Sequence, residues 1–162
     1  LDGLPSWIFR KDVWADPVEN KVCFWRPLFN AETPRGWKRT FFPEDWERII
    51  ELLEMKGFNM VELTYRTPVR EAMYHIRHCR FCIFYDGMWQ YIARNLCKPV
   101  ISLGDSGILE VHNPQGVHFT KPGLPHNDFY KYLDKMPQIL SHMDQRANRY
   151  KNKILGELNV ND

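Results

Sequence analysis

No apolar run in these 162 residues approaches the length of about 20 that a bilayer-spanning helix requires, and the amino terminus has no charged-then-apolar leader pattern. A cytoplasmic protein without a membrane span is the expectation. The chain opens at Leu1 rather than a methionine, as a piece trimmed from a longer protein would. Excess charge of one sign is also lacking. A net charge of +2 argues against a nucleic-acid partner, since such proteins generally carry a strongly basic face. Internal repeats and low-complexity tracts are absent, and a 44% hydrophobic content excludes wholesale disorder. Cysteine is sparse. Cys79 and Cys82 form a C-x-x-C pair behind His75 and His78, but no second pair stands at zinc-ribbon spacing, and Cys82 falls inside an apolar strand pattern. No metal and no resident cofactor are expected.

Aromatic residues are plentiful, at 14% with six tryptophans. Most are expected in the core, because large rings fill interiors more often than they stack on ligands. The length fits one domain. Residues 1–20 form a lead-in with Trp7, Phe9 and Trp14 that packs on it, residues 21–125 form its body, and residues 126–162 form a carboxyl-terminal helical segment.

Short apolar runs alternate with helix-period segments. Strands are predicted at Lys21–Arg26, Asn59–Leu63, Phe81–Tyr85 and Val100–Leu103, with a shorter one at Gly116–Phe119. Between them, Trp46, Ile49, Ile50 and Leu53 share one helical face that starts after Pro43 and stops at Gly57. Val69, Met73 and Ile76 share another, and Trp89, Ile92, Ala93 and Leu96 a third. This alternation predicts an α/β, Rossmann-like three-layer sandwich with a parallel sheet. A stripe at 4-3-4-3 spacing (Phe129, Leu133, Met136, Leu140, Met143, Ala147, Tyr150, Ile154) predicts the long helical tail, which Pro137 should break or kink.

The richest stretch runs from Arg80 to Gly104. An apolar run ends at Asp86-Gly87, a helix follows, and Pro99 opens a second apolar run, so a βαβ unit is expected. Its strand-to-helix turn offers free N–H groups and the positive end of a helix dipole, which favours an anion. The long loop after the first strand, Pro27–Thr40, contains Arg35, Lys38 and Arg39. It should leave the same edge of the sheet as the Asp86 turn, because both follow carboxyl ends of parallel strands. The alternative for Lys38 and Arg39 is a solvated loop charge, and for Asp86 a helix cap. The loop with Trp25 and Trp37 beside it is also the sole basis for a nucleic-acid reading.

Lys38, Phe42-Pro43, Met60–Leu63, Asp86-Gly87-Met88 and Pro99-Val100-Ile101 together resemble the nucleotide-sugar-binding, carboxyl-terminal half of GT-B glycosyltransferases, the heptosyltransferase-like group in particular. The resemblance covers roughly Lys21 to Gly104. Met88 stands where that family has a glycine, and Tyr91 where it has a histidine. The resemblance implies a nucleotide diphosphate sugar as ligand. Lys38 would neutralise the diphosphate, Arg26 and Arg39 would add charge, and the Asp86 turn would hold it through the backbone N–H groups of Gly87, Met88 and Trp89. A complete enzyme of this kind has a second Rossmann-like domain carrying the acceptor site, which 162 residues cannot also encode. Transfer would then need an acceptor site from another domain, a second copy or another subunit. The alternative is a non-catalytic nucleotide-binding or assembly module. Asp86, Glu62, Asp105 and His112 are candidate general bases, none at diagnostic spacing from a partner, so the catalytic residue stays unassigned.

Overall fold

The computed structural model describes residues 20–26, 43–85, 87–103, 117–119 and 126–160. The elements are β1 (Lys21–Phe24), α1 (Pro43–Met55), β2 (Asn59–Glu62), α2 (Val69–His78), β3 (Phe81–Tyr85), α3 (Met88–Asn95), β4 (Val100–Leu103), β5 (Val117–Phe119), α4 (His126–Asp134) and α5 (Met136–Val160). The protein is α/β with a Rossmann-like parallel sheet and a carboxyl-terminal helical segment, as the alternating pattern predicts. The strands lie in the order β2-β1-β3-β4-β5, and every adjacent pair is parallel.

Side chains alternate across the sheet with period two, and each set meets its own helices. Val22, Phe24, Phe81, Ile83, Tyr85, Ile101 and Leu103 pack with Trp46, Ile49 and Leu53 of α1, with Phe129 and Leu133 of α4, and with Met136, Ile139 and Met143 of α5. Cys23, Cys82, Phe84 and Val100 face the other way, against Ala72 and Ile76 of α2 and Trp89, Ala93 and Leu96 of α3. Both faces are covered, so the central strands read as continuous apolar runs.

Helix ends follow local chemistry. Gly57, at φ 88°, takes the left-handed conformation after α1. Its N–H bonds the Glu54 carbonyl at 2.9 Å and the Phe58 N–H bonds that of Leu53 at 3.1 Å, a Schellman closure with Phe58 buried beneath it. Cys97, at φ 51°, closes α3 in the same way without being a glycine. The predicted tail stripe divides at Lys135 into α4 and α5, because Pro137 in the first turn of α5 has no N–H to continue the earlier helix.

The tail is buried on this chain. Met143 belongs to the cluster that contains α1, whereas Ile154, with Tyr150 and Leu155, packs against Cys97 after α3. Between these contacts, Arg80, the residue before β3, makes a fork-like pair of 2.7 Å bonds to Asp144 of α5. The helix thus passes the amino edge of the sheet, from the α1 cluster to the end of α3. Truncating the fully buried Met143 to Ala should cost about 2–5 kcal/mol in chemical denaturation. A second outcome concerns high pH. Burial and then the hydrogen bond to Asp45 push the Tyr130 phenol up to about 12, and burial pushes Tyr132 up to about 12, both from 10.0. The folded protein keeps these protons where the unfolded chain loses them. Through these two groups, stability should therefore be constant below pH 10 and fall between pH 10 and 12, with a smaller fall in Tyr130→Phe, as read by urea unfolding at stepped pH.

Candidate functional site

β1 and β3 are neighbours, but the chain leaves them in opposite directions. After β1 it continues to α1 on one face, and after β3 to α3 on the other. This divergence is the switch point at which open parallel sheets form a crevice beyond the strand ends. The expected meeting of the loop around Lys38 with the Asp86-Gly87 turn lies outside the described residues, but the end of β1 does reach Gly87. The Trp25 N–H bonds the Ile83 carbonyl at 3.3 Å, and the Trp25 ring stands edge-on to Tyr85 at 6.2 Å. A Cβ placed on Gly87 would lie 3.4 Å from Cζ3 of Trp25, so the turn is drawn tightly against that ring.

α3 begins directly after this glycine. Among the described residues no side chain caps the amino end of α3, and its first turn contains no acidic residue. By contrast, α2 has Glu71 in its first turn. The Gly87 carbonyl accepts from the Gln90 and Tyr91 N–H groups at 3.1 and 3.3 Å, so the N–H groups of Met88 and Trp89 precede the first bond of the helix. Trp89 contributes only backbone to that edge, since its ring is buried in the α2–α3 cluster. Met88 is 53% exposed beside it.

Arg26 lies at the same edge, with its charge already matched. Its guanidinium donates to Glu62 at 2.7 and 3.2 Å and to Glu47 at 2.6 Å. These bonds raise its pKa further. The cluster therefore holds one cation against two carboxylates, and it ties the ends of β1 and β2 to α1. Neither glutamate partner was signalled locally, because they stand 36 and 21 residues away in sequence. Lys38, Arg39 and Asp86 lie outside the described residues, as do Asp105 and His112.

The cysteine–histidine pattern does not converge. Cys79 and Cys82 have their sulfurs 3.4 Å apart in the interior, and the Cys79 thiol donates to the Ile76 carbonyl. Burial and the neighbouring sulfurs of Cys23 and Cys79 push the Cys82 thiol well up. His75 lies 3.4 Å from the Lys21 ammonium instead, and His78 bonds the Tyr74 carbonyl. Among the described residues, no group of three or more His, Cys, Asp or Glu side chains could hold a metal ion. Nor, among them, is any helix long and apolar enough to cross a membrane.

The polar side chain that sequence reasoning passed over is Gln90. It is buried in the first turn of α3, whereas apolar Met88 and Tyr91 in the same turn are exposed. A polar residue between Trp89 and Tyr91 gives no such signal until the neighbouring layers are in place.

No protein-family model, curated protein or solved structure matches the chain. A functional reading therefore rests on the chain's own geometry. Replacing Gly87 by Ala should force Trp25 or the turn to shift. The expected result is a changed tryptophan emission, with the far-ultraviolet circular dichroism retained.

Proposed function

We propose that the chain is a glycosyltransferase-like protein that binds a nucleotide diphosphate sugar at the carboxyl edge between β1 and β3. It transfers the sugar where another domain, a second copy or another subunit supplies the acceptor site. The observation that carries this reading is the amino end of α3 at the switch point, with no acidic residue in its first turn. Leading N–H groups and the helix dipole suit the diphosphate leaving group, whose growing negative charge is what such a transfer must stabilise. In this reading the N–H groups of Gly87, Met88 and Trp89 seat the diphosphate and Asp86 shapes the turn. Lys38 and Arg39 approach from the loop after β1. Arg26 contributes through the carboxylates it holds, by fixing the strand ends. The buried, free state of all four cysteines suits a reducing, cytoplasmic setting.

One observation favours the alternative of a non-catalytic nucleotide-binding or assembly module. Glu62, the candidate base within the described residues, is engaged by Arg26 at 2.7 Å. The two readings part in a thermal-shift screen against nucleoside diphosphates and nucleotide sugars, where a ligand at 100 times its dissociation constant adds about 2.7 kcal/mol of stability. Lys38→Ala should weaken diphosphate binding by roughly 1.5–3 kcal/mol, the worth of a charge-assisted hydrogen bond, while melting at the wild-type temperature. Unchanged affinity in that variant would remove Lys38 from the site. A wild type that binds no nucleoside diphosphate would leave an assembly role.

A further inference from the structure

Gln90 is 1% exposed, and neither its Oε1 nor its Nε2 has a hydrogen-bond partner. An amide buried in this state destabilises the fold, because it has given up water on both its donor and its acceptor side. Leu or Met would fill the same volume without that cost. The polarity of this first turn is also inverted, with Met88 53% and Tyr91 38% exposed around it. Departures from local rules of this kind concentrate where a protein binds something.

Helical side chains lean back over the turn preceding their own Cα. From the third position of α3, this lean brings the Gln90 amide toward the amino end of the helix, whose first turn contains no acidic residue. A phosphate alone would not satisfy it. Phosphate oxygens accept from Nε2 but have nothing to donate to Oε1. The complement of a carboxamide is an adjacent donor and acceptor, attached close to the anion. Two neighbouring hydroxyls on a sugar meet that description, since each hydroxyl both donates and accepts.

We propose that Gln90 is a specificity-determining residue that grips the vicinal diol of a phosphorylated sugar whose phosphate is seated on α3. This rests on the reading of α3 as an anion seat. In a nucleotide diphosphate sugar the transferred sugar presents such a diol on C2 and C3, directly beside the phosphate on C1, and the ribose presents one on C2 and C3, one carbon further from the phosphate on C5.

Titration calorimetry on the 162-residue chain separates these cases, with inorganic phosphate, ribose 5-phosphate, 2-deoxyribose 5-phosphate and glucose 1-phosphate as probes. Wild type should bind one of the two diol-bearing sugar phosphates roughly tenfold more tightly than inorganic phosphate, which corresponds to about 1.4 kcal/mol. A preference for ribose 5-phosphate that the 2-deoxy sugar loses assigns the diol to the nucleoside. A preference for glucose 1-phosphate assigns it to the transferred sugar. In Gln90→Met the advantage should vanish while inorganic phosphate binds as before, and the free protein should melt at a higher temperature. Gln90→Asn, which retracts the amide by one methylene, should lose the advantage too. Phosphate binding with no diol advantage, or with the advantage intact in Gln90→Met, overturns the inference and leaves the anion seat standing. A Gln90→Met protein that melts lower makes the amide a structural group and also overturns it. No phosphate binding by the wild type overturns the anion seat, and this inference with it.

Discussion

The central strands of this protein have no wet face. β1, β3 and β4 pair only in parallel, which forces every connection between them to cross the sheet, and the crossing helices cover both sides. Because α1 and α3 cover opposite faces, the segments after β1 and β3 separate above adjacent strand ends. The crevice at Trp25 and Gly87 is thus a product of connectivity. No side chain is needed to open it, and the residues around it are left to decide what enters.

Charge at that crevice is divided in a way that composition conceals. The net charge of +2 is nearly neutral, yet the two groups that define the edge carry opposite local fields. Arg26 is surrounded by Glu47 and Glu62, which makes the end of β2 acidic on balance. The first turn of α3 has N–H groups and no acid. The Arg26 cluster fixes the ends of β1 and β2 against α1 even though its cation is spoken for.

Much of the fold was legible in the sequence. Phe81–Tyr85 and Val100–Leu103 agree to the residue, because strands buried on both faces leave unbroken apolar runs. β1 and β2 end before Trp25 and Leu63, whose N–H groups nonetheless continue the ladder to Ile83 and Phe24. Gly57 and Pro137 marked helix ends through backbone constraints that hold in any context. The strand order was less accessible, since nothing local distinguishes β2-β1-β3-β4-β5 from other parallel orders. The site was legible only as backbone. A turn followed by a helix can be read from Asp86-Gly87, whereas the partners of Arg26 and the burial of Gln90 depend on layers brought together from distant parts of the chain.

The passage of α5 along the amino edge has a consequence for how the protein is made. Arg80 and Asp144 are 64 residues apart, and the helix that joins them also touches Cys97 after α3 through Ile154. Domains fold largely as units while the ribosome releases them amino end first. Here the layer beside α1 is completed by α4 and α5, which follow β1 to β5 in the chain. A nascent chain can assemble β1 to β4 with α1 to α3 and complete the α2–α3 side, but the apolar surface beside α1 stays open until α4 and α5 clear the exit tunnel.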